Sequence, residues 1–171
     1  KLSVTIEEIL EGVNQVVKDF YFKEVVLKPG VCDLIQKLKK NQVRLMIATA
    51  TDAEMAKAAL VRNGVWKDFD GMITCEEAGA GKTSPKVFEL AREHLQTKKE
   101  ETWVFEDSLY AVKTASKAGF PVCSIYDAYS RDNTEEIQTF SDIYVKDFYE
   151  IESCQVFQRK KQQLHRLSER R

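Results

Sequence analysis

From Val43 onward the chain alternates between short apolar runs and helical patterns, and this alternation restricts the fold more than any other feature of the sequence. Residues 43–50 read as a buried strand, 53–63 as a helix stopped by Gly64, and 71–74 as a short strand. Ser84 and Pro85 open a helix reaching about Leu95, with Ser84 as its cap and Pro85 at its first position. Then come a strand over 102–105, a helix over 109–118 closed by Gly119, a strand over 121–126, a helix over 134–140 and a strand over 143–145. Strand and helix taking turns predict an α/β fold, a doubly wound parallel sheet with helices on both faces, whose ligands sit beyond the carboxyl ends of the strands. Before this region, Thr5 and Glu8 spell a capping box, and Ile6, Ile9, Leu10, Val13, Val16, Val17 and Phe20 follow at helical spacing. Such a stripe calls for a packing partner. Residues 20–29 turn aromatic and then β-branched, and Pro29-Gly30 leads into a helix over 31–40.

With 171 residues and 43% apolar content, the chain can bury one core of ordinary size. Its formal net charge of -1 provides no general attraction to nucleic acid or to anionic lipid, and no apolar run is long enough to span a bilayer. Recognition must therefore reside in a local site. Cys32, Cys75, Cys123 and Cys154 are scattered without zinc-ligand spacing, which argues against a disulfide framework and makes a reducing cytoplasm the expected setting. No secretory signal is visible, and the first residue is Lys1 rather than Met. His94 reads as a helix-surface residue and His165 as a tail residue, so histidine acid/base chemistry has little support.

Three motifs fall at predicted strand ends: Ile47-Ala48-Thr49-Ala50-Thr51, Gly81-Lys82-Thr83-Ser84-Pro85 and Val104-Phe105-Glu106-Asp107-Ser108. A hydroxyl, a lysine and an acidic pair are the groups that a Mg²⁺-dependent site needs to hold a transferring phosphoryl group. Taken singly, each has an ordinary structural reading. Thr49 is a β-branched strand residue, Lys82 a solvated loop lysine, and Asp107 or Ser108 a cap for the following helix. Joint placement at strand ends favours the functional reading for Thr49, Lys82, Glu106 and Asp107, while Ser108 remains a cap.

The ordered combination resembles the haloacid dehalogenase superfamily, in the branch with a small helical cap that includes phosphoglycolate phosphatase and β-phosphoglucomutase. The likeness runs from about Thr5 to Phe148 and is most specific in Gly81-Lys82-x-x-Pro85-Lys86-Val87-Phe88, in Val104-Phe105-Glu106-Asp107-Ser108 and in Ala115-x-x-Ala118-Gly119-Phe120. The resemblance implies that an aspartate on the central strand attacks phosphorus to form an aspartyl-phosphate. Thr49 then matches the hydroxyl that donates to a phosphoryl oxygen, aided by backbone amides near Ala50, and Lys82 matches the cation that offsets charge on nucleophile and phosphate. Glu106 and Asp107 match the pair holding Mg²⁺ directly or through water. Thr83 replaces the proline that the family usually places after the lysine, which makes Lys86 a weaker second candidate for the cationic role.

Asp68-Phe69-Asp70-Gly71 has the spelling of the family's nucleophile motif, but it follows a helix stop and a turn and comes after Thr49. Here a Phe-Asp pair is expected to lead into the third core strand, and the nucleophile segment is expected upstream of Lys1. The implied strand order is 5-4-1-2-3, with the strand near Val43 as the second. Without the first, the second and fourth strands would stand about 10 Å apart with two inner ladders unpaired. The expected division is thus a remnant of the helical cap over 1–27, a core over 28–150 and a basic, solvated extension over 151–171. The expected function is a Mg²⁺-dependent phosphatase acting on a small phosphorylated metabolite, with no nucleic-acid or membrane partner. A phosphosugar mutase and a non-catalytic binding module are the alternatives.

Overall fold

The computed structural model describes residues 4–153. Its helices and strands are α1 (Ile6–Lys23), α2 (Val31–Lys40), β1 (Met46–Thr49), α3 (Ala53–Arg62), β2 (Gly71–Thr74), α4 (Lys86–Leu95), β3 (Val104–Glu106), α5 (Leu109–Lys117), β4 (Val122–Ile125), α6 (Thr134–Thr139) and β5 (Ile143–Val145). Every strand pairing is parallel, and the strands form two sheets, β1-β2 and β3-β4-β5. The predicted α/β architecture is therefore present. β1 and β3 correspond to the second and fourth strands of the expected order, and each has a strand partner on one side only among the described residues.

Side-chain alternation explains how the larger sheet is covered on two faces. Val104 and Val122 point into a cluster with Val87, Phe88, Ala111, Val112, Ala115 and Ile137, while Cys123, Ile125 and Val145 belong to a second cluster with Phe105, Phe148 and Leu34. α4, α5 and α6 thus cover one face and α2 the other. Ala48 of β1 and Ile73 of β2 pack against the first cluster, so one apolar core serves both sheets. Ile151 is buried in the second cluster.

Local departures from the sequence reading have physical causes. β1 begins at Met46 rather than Val43, because the Leu45 amide donates to the Asp70 carboxylate at 2.7 Å and the ladder starts at the pairing of Met46 with Gly71. The helix expected to open at Pro85 opens at Lys86, with Pro85 as its cap residue, and the Lys86 amide reaches Ser84 Oγ only at 3.5 Å. α1 has the predicted capping box, but it runs on to Lys23 and buries none of its residues. Its stripe, with Ile6 77% and Val16 69% exposed, faces outward, and the helix lies along α3. The expected packing of the whole stripe is thus not met among the described residues.

Gly30 fixes where the chain enters α2. It adopts φ +80°, and a Cβ there would meet the Tyr149 backbone nitrogen at 2.8 Å. The Phe148 amide also donates to the Pro29 carbonyl at 3.2 Å, so this entry is pinned to the chain that follows β5.

Candidate active site

The carboxyl ends of β1 and β3, with the loop after β2, carry the predicted site residues. Thr49 ends β1, and its Oγ1 accepts from the Thr51 amide at 3.0 Å, which turns the chain toward α3. The Thr51 hydroxyl is 3.0 Å from the Tyr21 hydroxyl of α1, and Asp52 caps α3 by accepting from the Met55 amide. No hydrogen bond or ion pair links Thr49 to the lysine and acidic pair among the described residues.

Lys82, Glu106 and Asp107 are brought together. The loop after β2 tightens through the Ser84 amide, which donates to the Gly81 carbonyl at 2.9 Å, and directs Lys82 inward onto Glu106 Oε1. The pair is well covered, with the Lys82 side chain 15% and the Glu106 side chain 5% exposed. The Lys82 ammonium also lies 5.9 Å from the Phe88 ring centroid, where ring and cation attract. Glu106 Oε2 accepts from the Asp107 amide at 3.1 Å and the Ser108 hydroxyl at 3.1 Å. Ser108 therefore stands at the cap position of α5 but gives its hydroxyl to Glu106 and makes no side-chain cap, contrary to the sequence expectation. Lys86, by contrast, is exposed on the first turn of α4.

Asp107 differs from its neighbour. Its Oδ2 lies 3.4 Å from Lys28 Nζ, and its side chain is 39% exposed. Burial pushes the Asp107 carboxyl above the ordinary range, the Glu106 charge adds to this, and Lys28 offsets part of it. Sequence reasoning missed Lys28 and also its second partner, Asp127, which follows β4. Lys28 donates to Asp127 Oδ2, and Asp127 Oδ1 accepts from the Tyr129 amide at 2.8 Å. Those two bonds, Lys28 first, hold Asp127 below the usual carboxylate range. Burial disfavours the Lys28 ammonium, but Asp127 and Asp107 outweigh it and raise its pKa. The one available signal was Asp127 at the end of an apolar strand, parallel in placement to Asp107 after β3.

Hard, accessible carboxylate oxygens suit Mg²⁺, which keeps several waters and needs only one or two carboxylates beside a phosphate ligand. Asp107 meets that requirement with a partly exposed carboxylate. Glu106 commits both oxygens inward, and among the described residues no group of three aspartate, glutamate, histidine or cysteine side chains is placed to hold a metal ion jointly. The residues present fit a Mg²⁺ ion held in part by water and substrate. Asp70, in the motif that imitates a nucleophile, lies at the amino end of β2, where it bonds Leu45 and sits 3.7 Å from Lys39, at the opposite strand end from Thr49.

The family model described as haloacid dehalogenase-like hydrolase matches residues 1–125. A phosphorylated carbohydrates phosphatase of Thermotoga maritima is 30% identical over 115 residues, covering 67% of this chain and 53% of that protein. Among solved structures, CbbY from Rhodobacter sphaeroides in complex with phosphate superposes with a TM-score of 0.71 at 28% identity, covering 87% of this chain and 67% of that one. A putative β-phosphoglucomutase from Thermotoga maritima gives a TM-score of 0.77 at 24% identity, covering 88% and 69%, which speaks to the fold. The chain spans about half the length of the curated relatives it matches.

Proposed function

Because the chain belongs to the haloacid dehalogenase-like hydrolase family, we propose that it forms most of the active site of a Mg²⁺-dependent phosphatase for a small phosphorylated carbohydrate. The observation that carries this reading is the covered Lys82–Glu106 pair beside the open carboxylate of Asp107, at the carboxyl end of a parallel sheet. The substrate class is supported by the T. maritima phosphatase named for phosphorylated carbohydrates. Residues 1–27 are read as the cap remnant and 28–150 as the core.

Each group has a distinct task. The Thr49 hydroxyl and the Ala50 amide orient a phosphoryl oxygen, and Lys82, held in place by Glu106, offsets the charge that builds between nucleophile and phosphorus. Asp107 directly, and Glu106 through water, would hold the Mg²⁺, which neutralises phosphoryl oxygens when bound. The nucleophile is an aspartate on a further strand seated between β1 and β3, where each has an unpaired side among the described residues. Its carboxylate oxygen bonds to phosphorus as the bond from phosphorus to the sugar oxygen breaks, and that oxygen takes a proton from solvent. Water then cleaves the aspartyl-phosphate to give inorganic phosphate and free carboxylate.

Turnover of a panel of sugar phosphates with and without Mg²⁺ tests the reading. In the protein that carries the nucleophile strand, Asp107→Asn is expected to lower kcat/KM by about 100-fold or more while the circular dichroism spectrum is retained. Equal turnover by this variant would sink the assignment, and an isomeric sugar phosphate in place of free phosphate would make the reaction a mutase.

A further inference from the structure

We infer that Lys28 is a built-in counter-cation of the acidic pocket, a positioning residue held by Asp127 that competes with a divalent metal for Asp107. This rests on the reading of Asp107 as a metal ligand and adds a residue that sets how tightly the metal is held.

Three carboxylates, those of Glu106, Asp107 and Asp127, share the carboxyl ends of β3 and β4 with two ammonium groups. Lys82 is committed to Glu106, which leaves Lys28 to neutralise both aspartates. Its side chain is 36% exposed, with Asp107 39% and Asp127 32% exposed, so the ammonium and both carboxylates are all open in part to solvent and its ions. The backbone cannot simply carry it away. Two residues later Gly30 is wedged against Tyr149, and Pro29 is bonded to Phe148, so the lysine projects from a fixed point.

The two contacts of Lys28 are unequal, and the inequality defines the device. Nζ is hydrogen-bonded to Asp127, whereas it lies 3.4 Å from Asp107 Oδ2. Asp127 is itself fixed by the Tyr129 amide and offers a stable resting place for the ammonium. A dication at Asp107 is repelled by this nearby positive charge, yet Lys28 can withdraw onto Asp127 without losing a partner. Asp127 therefore favours metal entry by holding Lys28 back, while Lys28 opposes it. Changes at the two positions act in opposite directions, whereas a salt bridge that served packing alone would leave the affinity for the metal unchanged at both.

Direct binding of Mn²⁺ alone, counted from loss of its free-ion electron paramagnetic resonance signal, tests this without any turnover. Lys28→Met is expected to bind Mn²⁺ at least tenfold more tightly than the parent chain, and Asp127→Asn at least threefold more weakly. Lys28→Arg, which keeps the charge, is expected to remain near the parent. Thermal melts identify any variant that fails to fold, and Lys28→Met placed in the Asp127→Asn background is expected to tighten binding again. No tightening in Lys28→Met, no binding by it up to millimolar Mn²⁺, or equal shifts of one sign in both single variants would overturn the inference. Asp107→Asn separates the two readings. If it binds as well as the parent, Asp107 is not the ligand; if it loses binding while Lys28→Met is unchanged, only the role of Lys28 fails.

Discussion

Lys82 and Lys86 lie four residues apart, yet their surroundings give them different energetic weights. Lys82 is the partner of a carboxylate only 5% exposed, and removing it leaves the Glu106 charge covered and unpaired. Lys82→Ala is therefore expected to lower stability by about 3 kcal/mol and, where the variant stays folded, to lower kcat by about 100-fold. Lys86 projects from the exposed side of α4, and Lys86→Ala is expected to leave both denaturant midpoint and turnover near the parent values. A larger loss of turnover in Lys86→Ala would reverse the assignment. The placement of Lys82 and Glu106 at strand ends was legible, because each motif sits on a local pattern, but their pairing was not, since the sequence pointed Lys82 at phosphate and Glu106 at Mg²⁺. The contact between Lys28 and Asp127 spans 99 residues and has no local pattern, so only the folded chain reveals it. His165, Cys154 and the basic extension beyond Ser153 lie outside the described residues.

At the scale of elements, legibility followed punctuation. α2, β2 and β5 have the bounds that the sequence suggests, since Gly30, Gly71 and the turn before Ile143 interrupt the apolar pattern sharply. β1 starts late because Asp70 takes the amide that would have opened its ladder, an interaction that periodicity does not encode. The outward stripe of α1 shows the limit of amphipathicity as a guide: it predicts an apolar face and a helix, but not what covers that face. α4 adds a charge network of its own, in which Glu89 pairs with Arg92 at 3.0 Å and with Lys99. Burial pushes the Glu89 carboxyl up, but its bonds to Lys99 and Arg92 outweigh that and hold it below 4.5. A depressed carboxylate contributes stability above its unfolded value, and that contribution is lost as pH falls through the lower folded value. Glu89→Gln is thus expected to cost less than about 1 kcal/mol at neutral pH, as the pair is partly exposed, and nothing once the pH falls well below 4.5. Urea titrations at neutral and acidic pH check this, and a cost that persists in acid would assign the effect to packing.

At the largest scale, the question is how two sheets that share no ladder among the described residues behave as one body. The connection is apolar: Phe88 and Val87 of α4 sit in the cluster that holds Val104 and Val122 of the larger sheet and receives Ala48 and Ile73 of the smaller one. The Lys82–Glu106 pair adds a polar link between the loop after β2 and the end of β3. A strand seated between β1 and β3 would replace neither link, because both run through α4 and the loop that precedes it. The two tryptophans report on the two sides, Trp66 in the short turn before β2 and Trp103 immediately before β3. In single-tryptophan variants made by Trp66→Phe or Trp103→Phe, the remaining indole is expected to report one denaturant transition that coincides with the loss of helical circular dichroism. Phe88→Ala removes the ring that lies in the shared cluster and faces Lys82, and is expected to cost about 3–5 kcal/mol while both transitions move together. Transitions that separate, with the Trp66 side melting first, would show that the two sheets fold as independent units and that α4 is not what joins them.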